Sequence, residues 1–198
     1  MDYQVDVRQR SLHYEGFLKL ESFNLRHSLF QGGWSDYLDR EVISRANAVA
    51  VLLFDPQQNK VVLIEEFRVG AINDPESAWV IELVAGYCEE GESLIDVMHR
   101  ELQEEAGLQV HRHEVVIEFY SNPGICTDKV TVICAQVDAS KAGGIHGVPS
   151  EGEDIRVVVY PFEEVGELLE KGILSSPSPI IALQWLQLNH QRLRDTWL

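Results

Sequence analysis

The chain has 198 residues, 45% of them hydrophobic and 24% charged, with a formal net charge of −16. That length suits one domain, or one domain with a small added element, and the composition suits a packed core rather than disorder. The acidic balance argues against nucleic acid or an anionic membrane as a partner, since both attract clustered Lys and Arg.

The opening residues, MDYQVDVRQR, lack the apolar stretch of a signal peptide. From there to about residue 45, alternating stretches such as FLKLESFNLRH and a turn at Gly32-Gly33 predict a small antiparallel sheet. We take residues 1–45 as an N-terminal accessory sheet and 46–198 as the main domain. AVAVLLFD and KVVLIEEFR are rich in β-branched residues and flank the turn PQQN, and AWVIELVAG predicts a third strand ending at Gly86. The apolar run at 48–54 is far short of the roughly 20 residues that cross a bilayer. A cytoplasmic protein is expected, and Cys88, Cys126 and Cys134, odd in number and without CxxC spacing, suit neither a disulfide framework nor a zinc site.

Residues 93–106 carry Leu94, Ile95, Met98 and Leu102 at helical spacing, with Ser93 and Asp96 as a capping box and Gly107 as a left-handed stop. Beyond this helix, VVIEFYSN, KVTVICAQVD and DIRVVVYPF predict strands, and helical stretches surround EEVGELLEKG and PIIALQWLQLNHQRL. Strands and helices interleave without regular βαβ alternation, which predicts an α/β or α+β sandwich on a mixed sheet.

With Leu94 at zero on a helical wheel, Ile95, Met98, Leu102 and Ala106 fall between roughly 0° and 120°, and Glu105 lies near ~20°, inside that apolar arc. Glu101 and Glu104 lie beside it, so three carboxylates share one side of a short helix. A lone EE pair is ordinarily a solvated face. Three packed like charges need something positive among them, Arg100 with no Lys nearby cannot neutralise all three, and an all-oxygen ligand set points to Mg²⁺ or Mn²⁺.

From Gly86 the sequence GYCEEGESLIDVMHRELQEEAGL fits G-x5-E-x7-R-E-U-x-E-E-x-G-U, with U apolar, at every fixed position. Here the chain resembles the Nudix hydrolases, metal-dependent enzymes that split a nucleoside diphosphate linked to another group. The resemblance implies an α/β/α sandwich in which Gly86, Glu92, Arg100 and Gly107 hold the scaffold. It also implies that Glu101, Glu104, Glu105 and the Ala85 carbonyl face divalent ions, which polarise phosphorus and activate water.

The flanks extend the likeness. Pro123 in SNPG stands fifteen residues past Leu108, and EGFLKLESFNLRH, FDPQQNKVVLIEEFR, VDASKAGGIHGVPSEGEDIRV and IIALQWLQLNHQRL together resemble bacterial ADP-ribose pyrophosphatases of that family over nearly the whole chain. On that resemblance the substrate is ADP-ribose, cut to AMP and ribose 5-phosphate. Glu151 is the general base, Glu153 an added carboxylate on the metal side, and Phe17, Arg40, Arg68 and Asp128 bind substrate. The similar enzymes are homodimers joined through the N-terminal sheet. Tyr87, Ile125, Cys126, Thr127 and the short acid Asp128 depart from the relatives' pattern and leave another nucleotide sugar, such as GDP-mannose, as the alternative. A noncatalytic ADP-ribose sensor is the second alternative, although such domains usually lose box glutamates.

Overall fold

The computed structural model describes residues 3–198, so the first two positions of the expected accessory sheet lie outside the described residues. The chain forms two compact units, Met1–Ala46 with Tyr120–Lys129, and Asn47–Phe119 with Val130–Leu198.

In the first unit β1 (Val5–Glu15), β2 (Lys19–His27) and β3 (Leu38–Ser44) form an antiparallel sheet in that order. Gly32 and Gly33, at φ 87° and 82°, close the turn between β2 and β3, where a bridge pairs Ser28 with Trp34. Segment 120–129 joins this unit through backbone pairing: the Ile43 N–H donates to the Ile125 carbonyl at 2.7 Å and the Thr127 N–H to the Ile43 carbonyl at 3.1 Å. The sequence division at residue 45 left this segment with the main domain, because pairing so distant in sequence leaves no local periodicity.

The second unit is built on an eight-stranded mixed sheet. Its strands are β4 (Ala48–Asp55), β5 (Lys60–Phe67), β6 (Trp79–Glu82), β7 (Val84–Tyr87), β8 (Arg112–Tyr120), β9 (Lys129–Gln136), β10 (Ile145–His146) and β11 (Ile155–Pro161). The main path runs β10-β11-β5-β4-β9-β8, with β4 and β9 parallel. One helix, α1 (Leu94–Glu105), packs on one face, while α2 (Val165–Glu170) and α3 (Pro177–Trp197) cover the other.

This layering explains why β4 and β5 read as unbroken apolar runs. Val49, Val51, Leu53, Val62 and Ile64 enter the core beneath α1, whereas Ala50, Leu52, Phe54, Val61 and Leu63 enter the core beneath α3. A strand covered on both faces has no solvent side to carry polar residues.

The run expected as one strand, AWVIELVAG, is two strands broken at Leu83. β4 and β5 pair only from Leu53 to Asp55 and from Lys60 to Val62, then part. Into this fork β6 pairs with the second half of β5, and β7 with the first half of β4. A chain that changes partner cannot keep one ladder, and Leu83, 1% exposed, anchors the crossing in the core. The fork brings β7 beside α1, where the Ala85 N–H reaches Glu105.

Among the described residues no helix is long and apolar enough to cross a membrane. All three cysteines are free thiols.

Candidate active site

The site grows from α1. Ser93 caps its start, accepting from the Asp96 N–H at 3.2 Å while the Asp96 carboxylate accepts from the Ser93 N–H at 3.2 Å, an arrangement that stabilises a helix by about 1 kcal/mol. Gly107 ends it at φ 62°, the left-handed region that glycine adopts without strain. Val97, Met98 and Leu102 are buried, and on the same side Glu101 and Glu105 are buried with them, 8% and 3% exposed.

Arg100 ties the loop to this helix. Its Nε and Nη2 donate to the two oxygens of Glu92 at 3.0 and 3.1 Å, and Nη2 also reaches the Tyr87 carbonyl at 3.2 Å. Its Nη1 donates to Glu101 at 2.6 Å and lies 3.4 Å from Glu104. The hydrogen bond from Arg100, with one from the Glu89 N–H, holds Glu92 below the usual carboxylate range. Arg100 therefore engages two of the three ridge carboxylates directly, more than its place in sequence suggested.

Glu105 has no such cation. Burial pushes its carboxyl up to about 9; the Ala85 N–H, donating at 3.0 Å, opposes this, while Glu66, Glu101 and Glu153 add to it. Burial also raises Glu101, against the pull of Arg100. Gly86 sits against this ridge so closely that a Cβ there would lie 1.5 Å from Glu101 Oε1.

Two further carboxylates, absent from the sequence reading, belong to the site. Glu66 on β5 is 7% exposed and Glu82 ends β6, and both face the α1 side because Glu82 pairs with Ile64, two residues before Glu66. Between them lies Arg68, whose Nη2 stands 2.5 Å from Glu66 and 2.5 Å from Glu82, with Nε 2.8 Å from Glu82. Burial brings Glu66 up to about 7, with Arg68 opposing and Glu82 and Glu153 reinforcing the rise. A pair of glutamates at the end of an apolar strand looks like its solvated end; their register against Ile64 could have shown that one turns inward.

Glu153 and Glu151 lie in the loop before β11, which is tied to α1 by the Gly147 N–H donating to the Glu104 carbonyl at 2.9 Å. Glu153 folds back to accept from the Val148 N–H at 2.9 Å. Glu151 ends a short 3-10 turn and its side chain is exposed, available to a water or a ligand.

The donors fit a hard divalent cation. All are oxygens, and burial raises Glu101, Glu105 and Glu66, with Arg100 opposing only at Glu101 and Arg68 only at Glu66, so their ionised forms would gain from a divalent ion. Among the described residues no three Asp, Glu, His or Cys groups already converge as a closed ligand set. Glu101 and Glu104 instead lean on Arg100, so binding an ion would re-aim them.

A family model for the NUDIX domain matches residues 44–189. The chain belongs to the Nudix hydrolase family. It is 43% identical over 193 residues to an ADP-ribose pyrophosphatase of Escherichia coli (strain K12), covering 98% of this chain and 92% of that protein. It is 36% identical over 151 residues to a GDP-mannose pyrophosphatase of Cronobacter sakazakii, covering 75% of this chain and 78% of that one. Among solved structures, a crystal structure of an ADP compounds hydrolase superposes with a TM-score of 0.72 at 20% identity, covering 96% of this chain and 97% of that one, a likeness of fold.

The remaining expected residues of this Nudix hydrolase lie in the first unit. Phe17 stands 85% exposed in the turn between β1 and β2. Arg40 on β3 is exposed and donates to the Asp39 carbonyl at 2.8 Å. Asp128, expected to touch substrate, is fully buried and held by Arg45 through two contacts of 3.0 Å. Burial opposes its ionisation, but the hydrogen bonds from Arg45 and Ser121 prevail and keep its carboxyl below the usual range. A carboxylate occupied in this way shapes its loop, so any influence on a ligand would pass through Arg45.

Proposed function

We propose that this Nudix hydrolase splits the pyrophosphate of ADP-ribose with water, giving AMP and ribose 5-phosphate, with Mg²⁺ as its ion and Mn²⁺ as a substitute. The observation that carries this reading is the buried, cation-poor Glu105 inside an unbroken Nudix box, in a chain similar along 98% of its length to an ADP-ribose pyrophosphatase.

Glu101, Glu104, Glu105 and the Ala85 carbonyl would hold the ion, with Glu153 beside them. When bound, such an ion neutralises charge on the diphosphate oxygens and lowers the pKa of water. The other work falls to the protein. Glu151, exposed on a loop anchored to α1, takes the proton of the attacking water. Arg68 holds the anionic diphosphate through its fork of donors; in the first unit, Arg40 is read as gripping base or phosphates and the exposed Phe17 ring as stacking on an adenine, both for a substrate of the partner subunit. Arg100 and Glu92 keep the ridge in register so that little reorganisation is needed as charge develops.

Hydrolysis of another nucleoside diphosphate sugar is the second reading, favoured by the likeness to a GDP-mannose pyrophosphatase. The intact box weighs against a noncatalytic sensor. We also read the enzyme as a cytoplasmic homodimer, supported by the exposed Val5, Val7, Leu12 and Tyr14 on β1. Light scattering of the purified chain at the monomer mass would remove the dimer.

The deciding experiment ranks ADP-ribose, other nucleoside diphosphate sugars and dinucleotides by kcat/KM with Mg²⁺ in ¹⁸O-labelled water, with mass analysis of the products. ADP-ribose first, with the label in one product phosphate, is expected. GDP-mannose first would establish the second reading, and binding without phosphate release would establish the sensor.

A further inference from the structure

Among the described residues Arg68 is the basic side chain that pairs with Glu66 and Glu82, and the way it is held constrains it. Its Nε and Nη2 both donate to Glu82 Oε2, at 2.8 and 2.5 Å, and Nη2 lies 2.5 Å from Glu66 as an ion pair without a hydrogen bond, while the side chain keeps 43% of its exposure. Among the described residues Nη1 has no protein acceptor, so one end of the fork is fixed and the other is open. The holders are themselves fixed: Glu66 and Glu82 are 9% and 17% exposed at the side chain, on paired strands, and the Arg68 N–H donates to the Ala78 carbonyl at 2.8 Å. A guanidinium anchored along one edge loses little freedom when the other edge meets an anion.

Resting on the reading of the site as one for a nucleoside diphosphate sugar, we propose that Glu82 and Glu66 are positioning residues that clamp Arg68 so that its Nη1 end is presented to the diphosphate. Glu82 holds the fork through Nε and Nη2, and Glu66 closes it from the strand alongside. The clamp thus aims a donor at the substrate.

The test is a double-mutant cycle with Glu82→Gln, Arg68→Ala and the double variant, with thermal unfolding of each beside kcat and KM for ADP-ribose. Gln preserves the shape of Glu82 and removes its charge. A residue that acts through Arg68 raises KM by about 10- to 100-fold with kcat changed far less, the scale of a misplaced binding group. In the Arg68→Ala background the same change then has almost no effect. Independent effects that multiply in the double variant, a fall in kcat alone, or an unchanged KM in Glu82→Gln would overturn the proposal. Should Glu82→Gln unfold early, Glu66→Gln is read in the same cycle with the same criteria. The functional reading is judged separately on wild type: if another nucleoside diphosphate sugar proves the substrate, the cycle is run on that compound, and if none is turned over, it is read in the Kd of ADP-ribose.

Discussion

Substituting Gly86 by Ala places a methyl group where the Glu101 side chain now lies. The added Cβ would stand 1.5 Å from Oε1, 2.0 Å from Cδ and 2.6 Å from Cγ of Glu101, whereas real contacts of this kind begin beyond 3.0 Å. Glu101 must therefore swing away, and its 2.6 Å hydrogen bond with Arg100 breaks. Because the obstacle is the end of a side chain rather than backbone, we expect about 1–2 kcal/mol of lost stability, at the low end of overpacking costs. For a chain of this size that is roughly 2–8 °C in Tm. Activity should fall much further, by about 100-fold or more in kcat/KM, since a ridge carboxylate has left its place. Calorimetry and ADP-ribose turnover with Mg²⁺ measure the two effects side by side. A Gly86→Ala enzyme with wild-type turnover would refute the reasoning.

Three other outcomes follow from buried charge. In chelator, an unfolded chain releases the Glu105 and Glu66 protons near the ordinary 4.5, whereas the folded chain holds them up to about 9 and about 7, so stability should fall as pH rises through that window. Glu105→Gln should flatten the fall in Tm and abolish turnover, and saturating Mg²⁺ should restore Tm in wild type alone; an equal pH slope in both proteins would contradict this. His190 stacks on Phe162 at 3.6 Å and contacts Asn59 at 2.5 Å, and burial lowers its pKa below the ordinary 6.5. Its contribution is present above pH 6.5 and is lost as pH falls below it, so His190→Gln should reduce the loss of Tm between neutral and mildly acid pH. Asp128→Asn removes the charge facing Arg45 and should cost about 2–3 kcal/mol in denaturant unfolding, less than a fully buried pair because Arg45 is partly exposed.

What the sequence revealed was local. The capping box of Ser93 and Asp96, the left-handed Gly107 and the inward Glu105 depend on spacing within one helix, and periodicity carries that information. β4 and β5 were legible as strands from their β-branched apolar runs, and the two layers that bury both their faces give those runs their reason. The break at Leu83 was hidden, because a strand that changes partner keeps the same alternation of side chains on both sides of the crossing. The clamp on Arg68 was hidden for a related reason: Glu66 and Glu82 become neighbours only through the register of β5 against β6. Asp128 read as a residue for substrate because its resemblance said nothing of Arg45, which lies 83 residues away in sequence.

The most direct test of the metal-bearing ridge is turnover of ADP-ribose by enzyme stripped with chelator, before and after addition of Mg²⁺. AMP and ribose 5-phosphate should be absent in chelator, appear with Mg²⁺, and be lost again in Glu105→Gln. Undiminished hydrolysis in chelator, or equal rates in wild type and Glu105→Gln, would contradict the account.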